Sequence, residues 1–301
     1  PSSGGVLLGQ MMKAIEKFDL SMIPHNSSEY IQLLTEIERR AFADRSDLMG
    51  DPDFMTLPVY EFMDEKYVEE RMKNFSWEKA TPSSDIKPGK IIFNESLETT
   101  HFSIIDKSGN AVSVTTTLNN SFGSKLYVED SGFFLNNEMD DFSSKPGYPN
   151  FFGVLGSEAN SIRPGKRMLS AMTPTIVLKN NKPILILGSP GGPSIITSVF
   201  QTILNVIEYN MDVNEAVSAP RFHHQWYPDL IVMEKDVSST DVDSILKSKN
   251  YLIVKLPIKS DTLGVYKRAD IGAVDAILID ESGNVSGGAD LRREHYSSSV
   301  Y

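Results

Sequence analysis

The chain has 301 residues, 40% hydrophobic and 23% charged, enough for a sizeable core in one large or two smaller domains. A net charge of −11 disfavours nucleic-acid binding, since phosphate contacts need a basic face. There is no cysteine, so disulfides, a thiol nucleophile and cysteine zinc sites are excluded, and the five histidines fall in no metal-binding spacing. No run of about 20 apolar residues is available for a transmembrane helix. The chain opens at Pro1 with neither an initiator methionine nor a signal peptide, so it is expected to come from the middle of a longer protein.

In chain order, residues 5–18 carry Leu8, Met11, Met12, Ile15 and Phe18 at helical spacing. Ser27 or Ser28 is placed to cap a second helix through Ile31, Leu34, Ile37 and Phe42 to about Leu48. The cluster Asp44-Arg45-Ser46-Asp47 reads as a salt-bridged helix end. A third helix is expected over residues 61–73. Residues 78–98 hold Pro82, Pro88 and Gly89 with Ser83-Ser84-Asp85, the composition of an exposed, mobile linker. Residues 97–106 and 111–118 read as a hairpin joined by turn chemistry at Asp106-Lys107-Ser108-Gly109-Asn110. Residues 143–167 are rich in Gly, Pro, Ser and Asn without periodicity, which suits a functional or disordered loop. A second hairpin over 172–178 and 183–187 leads into Gly188-Ser189-Pro190-Gly191-Gly192 and a helix over 194–209. A short helix after 212, a helix near 241–249, a strand at 251–254 and a hairpin of 273–279 with 285–288 close the chain. Strand pairs alternating with helices predict an α+β protein whose sheets are covered by helices.

The residue on which the chemistry turns is Thr99. Taken alone, Thr99 and Thr100 are β-branched residues starting a strand. A threonine becomes a nucleophile if the peptide bond before it is cut. Its new α-amino group, with a reference pKa near ~7.7–8.0, then serves as base for its own hydroxyl. An exposed segment directly before Thr99 is what such a cut needs.

Eight segments in order resemble the γ-glutamyltransferase family, the glutathione hydrolases of the N-terminal-nucleophile class. They are Pro1-Ser2-Ser3-Gly4-Gly5; Ala43-Asp44-Arg45 with Gly50-Asp51-Pro52; Thr99-Thr100-His101; Thr117-Leu118-Asn119; Asn136-Asn137-Glu138-Met139-Asp140-Asp141-Phe142; Met172-Thr173-Pro174-Thr175; Gly188-Ser189-Pro190-Gly191-Gly192; and Ala219-Pro220-Arg221-Phe222-His223-His224-Gln225. The resemblance implies a four-layer αββα N-terminal-nucleophile hydrolase fold and self-cleavage between Glu98 and Thr99. Residues 1–98 would be the end of a large subunit and residues 99–301 the whole small catalytic subunit, together the later half of a heterodimer's precursor. Thr99 would be nucleophile and base. Thr117, on the partner strand, would orient it. Gly191 and Gly192, at a strand-to-helix junction, would offer backbone N–H groups as the oxyanion hole.

The same resemblance assigns Asn119, Glu138 and Asp141 to the substrate's α-amino group, and two carboxylates with an amide suit an ammonium. It assigns Ser170 to the α-carboxylate, where Ala171 replaces the second serine of several members. Phe152, in a lid loop matching residues 145–156, would cover the glutamyl group where a tyrosine often stands. Gly288-Ala289-Asp290-Leu291-Arg292 departs from a family Asp-Pro-Arg and reads as structural. None of Arg45, Arg163, Arg167 and Arg221 lies in the segment matching the family's carboxylate-binding arginine, which is expected upstream of Pro1. Substrates would be glutathione and other γ-glutamyl compounds, with water, amino acids or peptides as acceptors, in a periplasmic or secreted protein. No cofactor or metal is implied. The alternatives are a related acylase acting on cephalosporin side chains or poly-γ-glutamate, and an unprocessed, non-catalytic homologue.

Overall fold

The computed structural model describes residues 2–57, 59–86, 98–148, 153, 155–256, 270–292 and 298, with residues 98 and 99 described by their backbone. Helix α1 (Gly4–Ile15) packs on α2 (Ser28–Leu48), α3 (Glu65–Met72) and α4 (Ser194–Ile207). Its apolar stripe of Leu7, Leu8, Met11, Ala14 and Ile15 is buried in the main core. Ser27 caps α2 by accepting the Tyr30 N–H at 3.1 Å. The helix expected over 61–73 is instead a 3₁₀ turn and then α3. Asp64 stops the first and caps the second, accepting the N–H groups of Lys66 and Tyr67 at 3.0 and 3.2 Å.

Helix α2 is buried on nearly every side, polar residues included. Its buried charges are accordingly paired or hydrogen-bonded. Arg40 binds Glu36 at 2.5 Å, Tyr251 donates to Glu36 at 2.8 Å, and Asp44 accepts from Gln10 at 2.6 Å and Arg71 at 3.0 Å. Glu38 accepts the His224 N–H at 2.9 Å, and burial pushes its carboxyl well above the usual range. The Asp44-Arg45 cluster near the helix end is salt-bridged as read, through Asp44 and Arg71, and it lies in the interior. Alternation of charge along a helix cannot show which sides other helices cover.

The central sheet is antiparallel, in the order β11-β10-β6-β5, from β5 (Thr175–Lys179), β6 (Lys182–Gly188), β10 (Asp275–Ile279) and β11 (Val285–Ala289). Leu185, Leu187 and Ala276 point into the core with Ile196, Val199 and Ile203 of α4. Beside α4 lies α5 (Val213–Ser218), which also packs on β10 and β11. Against the opposite face of the sheet lies the hairpin of β1 (Glu98–Ile105) and β2 (Ala111–Asn119). Ser113 stitches the two layers, donating to the Leu187 carbonyl and accepting the Thr175 N–H, both at 3.0 Å. The outer face of the hairpin exposes Phe102, Ile104, Val112 and Leu118. Helix, sheet and sheet are three layers of the expected α+β N-terminal-nucleophile fold.

The remaining strands are short. β3 (Tyr127–Val128) and β4 (Phe133–Phe134) form a hairpin too brief to show as periodicity. β7 (Phe222–His223), β8 (Ile231–Met233) and β9 (Ile253–Lys255) make a small mixed sheet with α6 (Thr240–Ser248) between its parallel pair. His223 and His224 have separate partners, Thr197 and Asp229. The first part of the expected linker is anchored. Ala80, Thr81, Ser83 and Ile86 are buried, and Ser83 donates to Asp229 at 2.7 Å and to the Trp226 carbonyl at 2.6 Å. Residues 87–97 lie outside the described residues.

The contact between the two sheets centres on Gly188, where an added Cβ would enter the His101 ring. Gly188→Ala is therefore expected to destabilise the fold by about 1–3 kcal/mol through overpacking, read as a lower urea midpoint with an unchanged slope.

Candidate active site

The β1–β2 register pairs Glu98 with Asn119 and Thr100 with Thr116. One residue, Thr99, thus stands opposite two, Thr117 and Leu118, so β2 carries a bulge where the expected cleavage point lies. The Thr117 hydroxyl accepts the Asn119 N–H at 2.8 Å. Asn119 is buried with φ at +76°, a left-handed conformation that asparagine tolerates.

From this strand end the site continues without a break. The Asn119 amide donates to the Asn137 carbonyl at 3.2 Å, the Asn120 N–H to the Asn137 side chain at 3.0 Å, and the Asn137 N–H to the Leu118 carbonyl at 3.1 Å. Asn137 leads directly into a 3₁₀ turn, Glu138–Asp141. Asp141 is buried and Glu138 half-buried, and burial raises the pKa of both. The nearby Glu138 raises Asp141 further, against the pull of Arg45 and a hydrogen bond from Asn119. One Asp141 carboxylate oxygen is buried with no hydrogen-bond partner. A buried acceptor without a donor, beside a second carboxylate, suits a cationic ligand.

Gly191 and Gly192 follow β6 and precede α4, with φ at +132° and +60°. A Cβ on Gly191 would stand 2.8 Å from the Gly272 Cα, so the two backbones touch. Behind them, Ser189 accepts the Ala273 N–H at 2.9 Å and Ser194 donates to the Gly191 carbonyl at 2.7 Å. The loop is thus braced from the rear while its N–H groups sit at the positive end of α4.

Ser170 accepts the Met172 N–H on its hydroxyl at 3.2 Å, and Ala171 is buried beside it. The candidate arginines divide. Arg167 binds Asp51 at 2.6 Å and Asp53 at 2.7 Å, and Arg221 binds Asp290 at 2.6 Å. Arg292 also binds Asp290, at 2.9 Å, which agrees with a structural reading of that segment. Arg45 is buried, donates to Ser3 at 2.9 Å, and feels the charge of Asp141; burial brings its guanidinium down to about 10. Arg163 is exposed. Phe152 lies outside the described residues. Arg45 and Gly272 went unassigned in the sequence. Arg45 sat in a quoted motif that signalled its importance, but nothing around Gly272 marked it. Among the described residues no group of three or more His, Cys, Asp or Glu side chains is arranged to hold a metal, and no helix is long and apolar enough to cross a membrane.

Two apposed antiparallel layers under a helical layer are the arrangement of the N-terminal-nucleophile hydrolase fold. A family model described as gamma-glutamyltranspeptidase matches residues 1–300, and the chain belongs to that family. It is 43% identical over 292 residues to the glutathione hydrolase proenzyme of Escherichia coli, covering 97% of this chain and 48% of that protein. The chain thus spans about half the length of the curated relatives it matches. A crystal structure of a mutant gamma-glutamyltranspeptidase from Helicobacter pylori is 50% identical, with a TM-score of 0.59, covering 64% of this chain and 100% of that one. In fold alone, a cephalosporin acylase from Bacillus halodurans is similar at 21% identity and a TM-score of 0.77, over 99% of this chain and 50% of that one.

His101 follows the Thr99-Thr100 pair and is held by Thr115 at 2.8 Å and Ser103 at 3.0 Å, while burial lowers its pKa to about 4. The unfolded chain protonates its histidines near the ordinary value of about 6.5, whereas folded His101 resists until about 4. This group's contribution is intact above the unfolded value and is lost as pH falls between the two. His101→Gln should therefore lose less stability than the parent between pH 7 and pH 4.5, measured by urea unfolding at both.

Proposed function

We propose that the protein carrying this chain is a γ-glutamyltransferase, a glutathione hydrolase that matures by cutting itself between Glu98 and Thr99. The observation that carries this reading is the continuous path from the bulge at Thr99, through Thr117 and Asn119, to the acidic turn of Glu138 and Asp141. It joins a nucleophile position to a cation site. A substrate with both an attackable amide and an α-ammonium needs that combination. Residues 99–301 are about two thirds of the chain, which is close to the share matching the entire H. pylori chain, and the E. coli relative is named as a proenzyme. Both facts support a large-subunit end at 1–98 and a small catalytic subunit at 99–301, paired as a heterodimer.

In this mechanism the freed α-amino group of Thr99 takes the proton from its own hydroxyl. The hydroxyl oxygen attacks the γ-glutamyl carbonyl, and the oxyanion is met by the N–H groups of Gly191 and Gly192. The amide C–N bond breaks as the protonated amine returns its proton to the leaving amine. Water or the amine of an amino acid or peptide then attacks the γ-glutamyl ester and releases Thr99. Asn119, Glu138 and Asp141 hold the substrate's ammonium, and Ser170 its carboxylate. Ala171 removes one donor from the carboxylate side. The family resemblance assigns the apolar cover of the glutamyl chain to Phe152 and the carboxylate's arginine partner to a segment upstream of Pro1. A periplasmic or secreted location follows the bacterial members of the family. An acylase reading fits less well, because a substrate without an α-amino group has no use for the orphan oxygen of Asp141.

Thr99→Ala is expected to leave an uncut chain without γ-glutamyl turnover, and Thr99→Ser to retain slow cutting and slow turnover. Normal hydrolysis of a γ-glutamyl anilide by Thr99→Ala would overturn the reading. Asp141→Asn should raise KM at least tenfold while the chain is still cut, because the ammonium is absent during maturation. The raised pKa of Asp141 adds a sign. The ionised form binds the ammonium, so kcat/KM should fall as pH drops through that pKa, and this limb should vanish in Asp141→Asn.

A further inference from the structure

The segment Ser2 to Gly4 is laid against the strand edge at Ser170. Ser2 and Ser170 form a parallel bridge, and Ser2 also donates to the Met172 carbonyl. Ser3 is buried at 1% exposure at the N-cap position of α1, where a serine normally turns its hydroxyl back onto the helix. Here it does not. Both its N–H, at 2.8 Å, and its hydroxyl, at 2.7 Å, donate to the one carbonyl of Ser170. Its hydroxyl oxygen in turn accepts from Arg45 at 2.9 Å. The approach is close enough to need glycine next. A Cβ on Gly4 would stand 2.6 Å from the Met172 carbonyl oxygen and 3.0 Å from that of Ala171.

A serine that forgoes capping its own helix has its hydroxyl committed elsewhere. Two donors on one carbonyl fix the peptide plane at Ser170, and with it the direction of the Ser170 side chain. Arg45 carries the constraint to the other end of the site, because its buried charge acts on Asp141. We propose that Ser3 is a positioning residue for γ-glutamyl recognition, setting the Ser170 peptide so that its hydroxyl meets the substrate's α-carboxylate. This rests on the reading of Ser170 as a carboxylate contact. It also means that the carboxylate side is shaped by residues upstream of the cleaved bond, on the proposed large subunit.

The test uses the full-length protein, a γ-glutamyl anilide as substrate and L-glutamate as competitive inhibitor. Ser3→Ala is expected to raise KM and the glutamate inhibition constant about three- to tenfold, the range of one neutral hydrogen bond, with kcat within about twofold. A merely structural serine would lower thermal stability without this split. In a Ser170→Ala background, Ser3→Ala should add nothing further to KM. If Ser170→Ala alone leaves KM unchanged, the carboxylate reading fails and the proposal with it. If Ser170→Ala raises KM while Ser3→Ala does not, only the proposal is overturned. The exposed Ser2→Ala, which loosens the same strap, should raise KM in the same direction. Should Ser3→Ala fail to fold, an unchanged KM in Ser2→Ala overturns the proposal.

Discussion

The ring of His101 occupies the space that a side chain at position 188 would need. Much of the site's geometry depends on this contact. His101 is two residues beyond Thr99 on β1, and Gly188 is three residues before Gly191 at the end of β6. One interlock between the sheets therefore sets the strand that carries Thr99, the proposed nucleophile, against the loop whose N–H groups are proposed to meet the oxyanion. Layers that stack face to face normally sit about 10 Å apart, too far for a small residue at 101 to hold the spacing without leaving a void. A neutral imidazole fills it and gives its two nitrogens to Thr115 and Ser103 of the hairpin itself. The buried ring thus makes no polar demand on the opposite sheet.

The proposed cut between Glu98 and Thr99 would set a second constraint. The pieces on either side of Glu98 would have to stay together without that bond. Helix α2 meets this need with buried polar links to the later part of the chain. Glu36 is reached by Tyr251, Glu38 by the His224 N–H, Gln32 by Lys249, and Arg39 pairs with Asp229. Each of these groups would be costly to bury alone, so partial separation is penalised as well as complete separation. The apolar core also runs across the boundary, with Leu7, Ile31 and Phe42 in one cluster with Val199, Phe222 and Val274.

The acidic turn at Glu138–Asp141 is built in the opposite sense. Glu36, Arg40 and Asp44 on α2 have opposite charges as partners, whereas Asp141 keeps an unpartnered oxygen and a like-charged neighbour in Glu138. A buried carboxylate oxygen without a donor, beside a like charge, breaks the local rule of polar satisfaction. Such exceptions concentrate where a ligand completes the set.

Much of this was legible in the residues. Apolar spacing located α1, α2 and α4, and turn chemistry located the two long hairpins. Resemblance to the family's motifs named Thr99, Thr117, Asn119, Glu138, Asp141, Gly191 and Gly192 as candidates. Only the tertiary structure decided that Asp44 and Arg45 are interior. Burial on all sides of a helix depends on partners far along the chain, here Ser3, Gln10 and Arg71. It also showed the bulge opposite Thr99, since register belongs to a pair of strands, and the Gly191–Gly272 contact, which joins backbones 81 positions apart. Ser3 illustrates the division: it directly precedes α1, and only the packed chain gives its hydroxyl to Ser170.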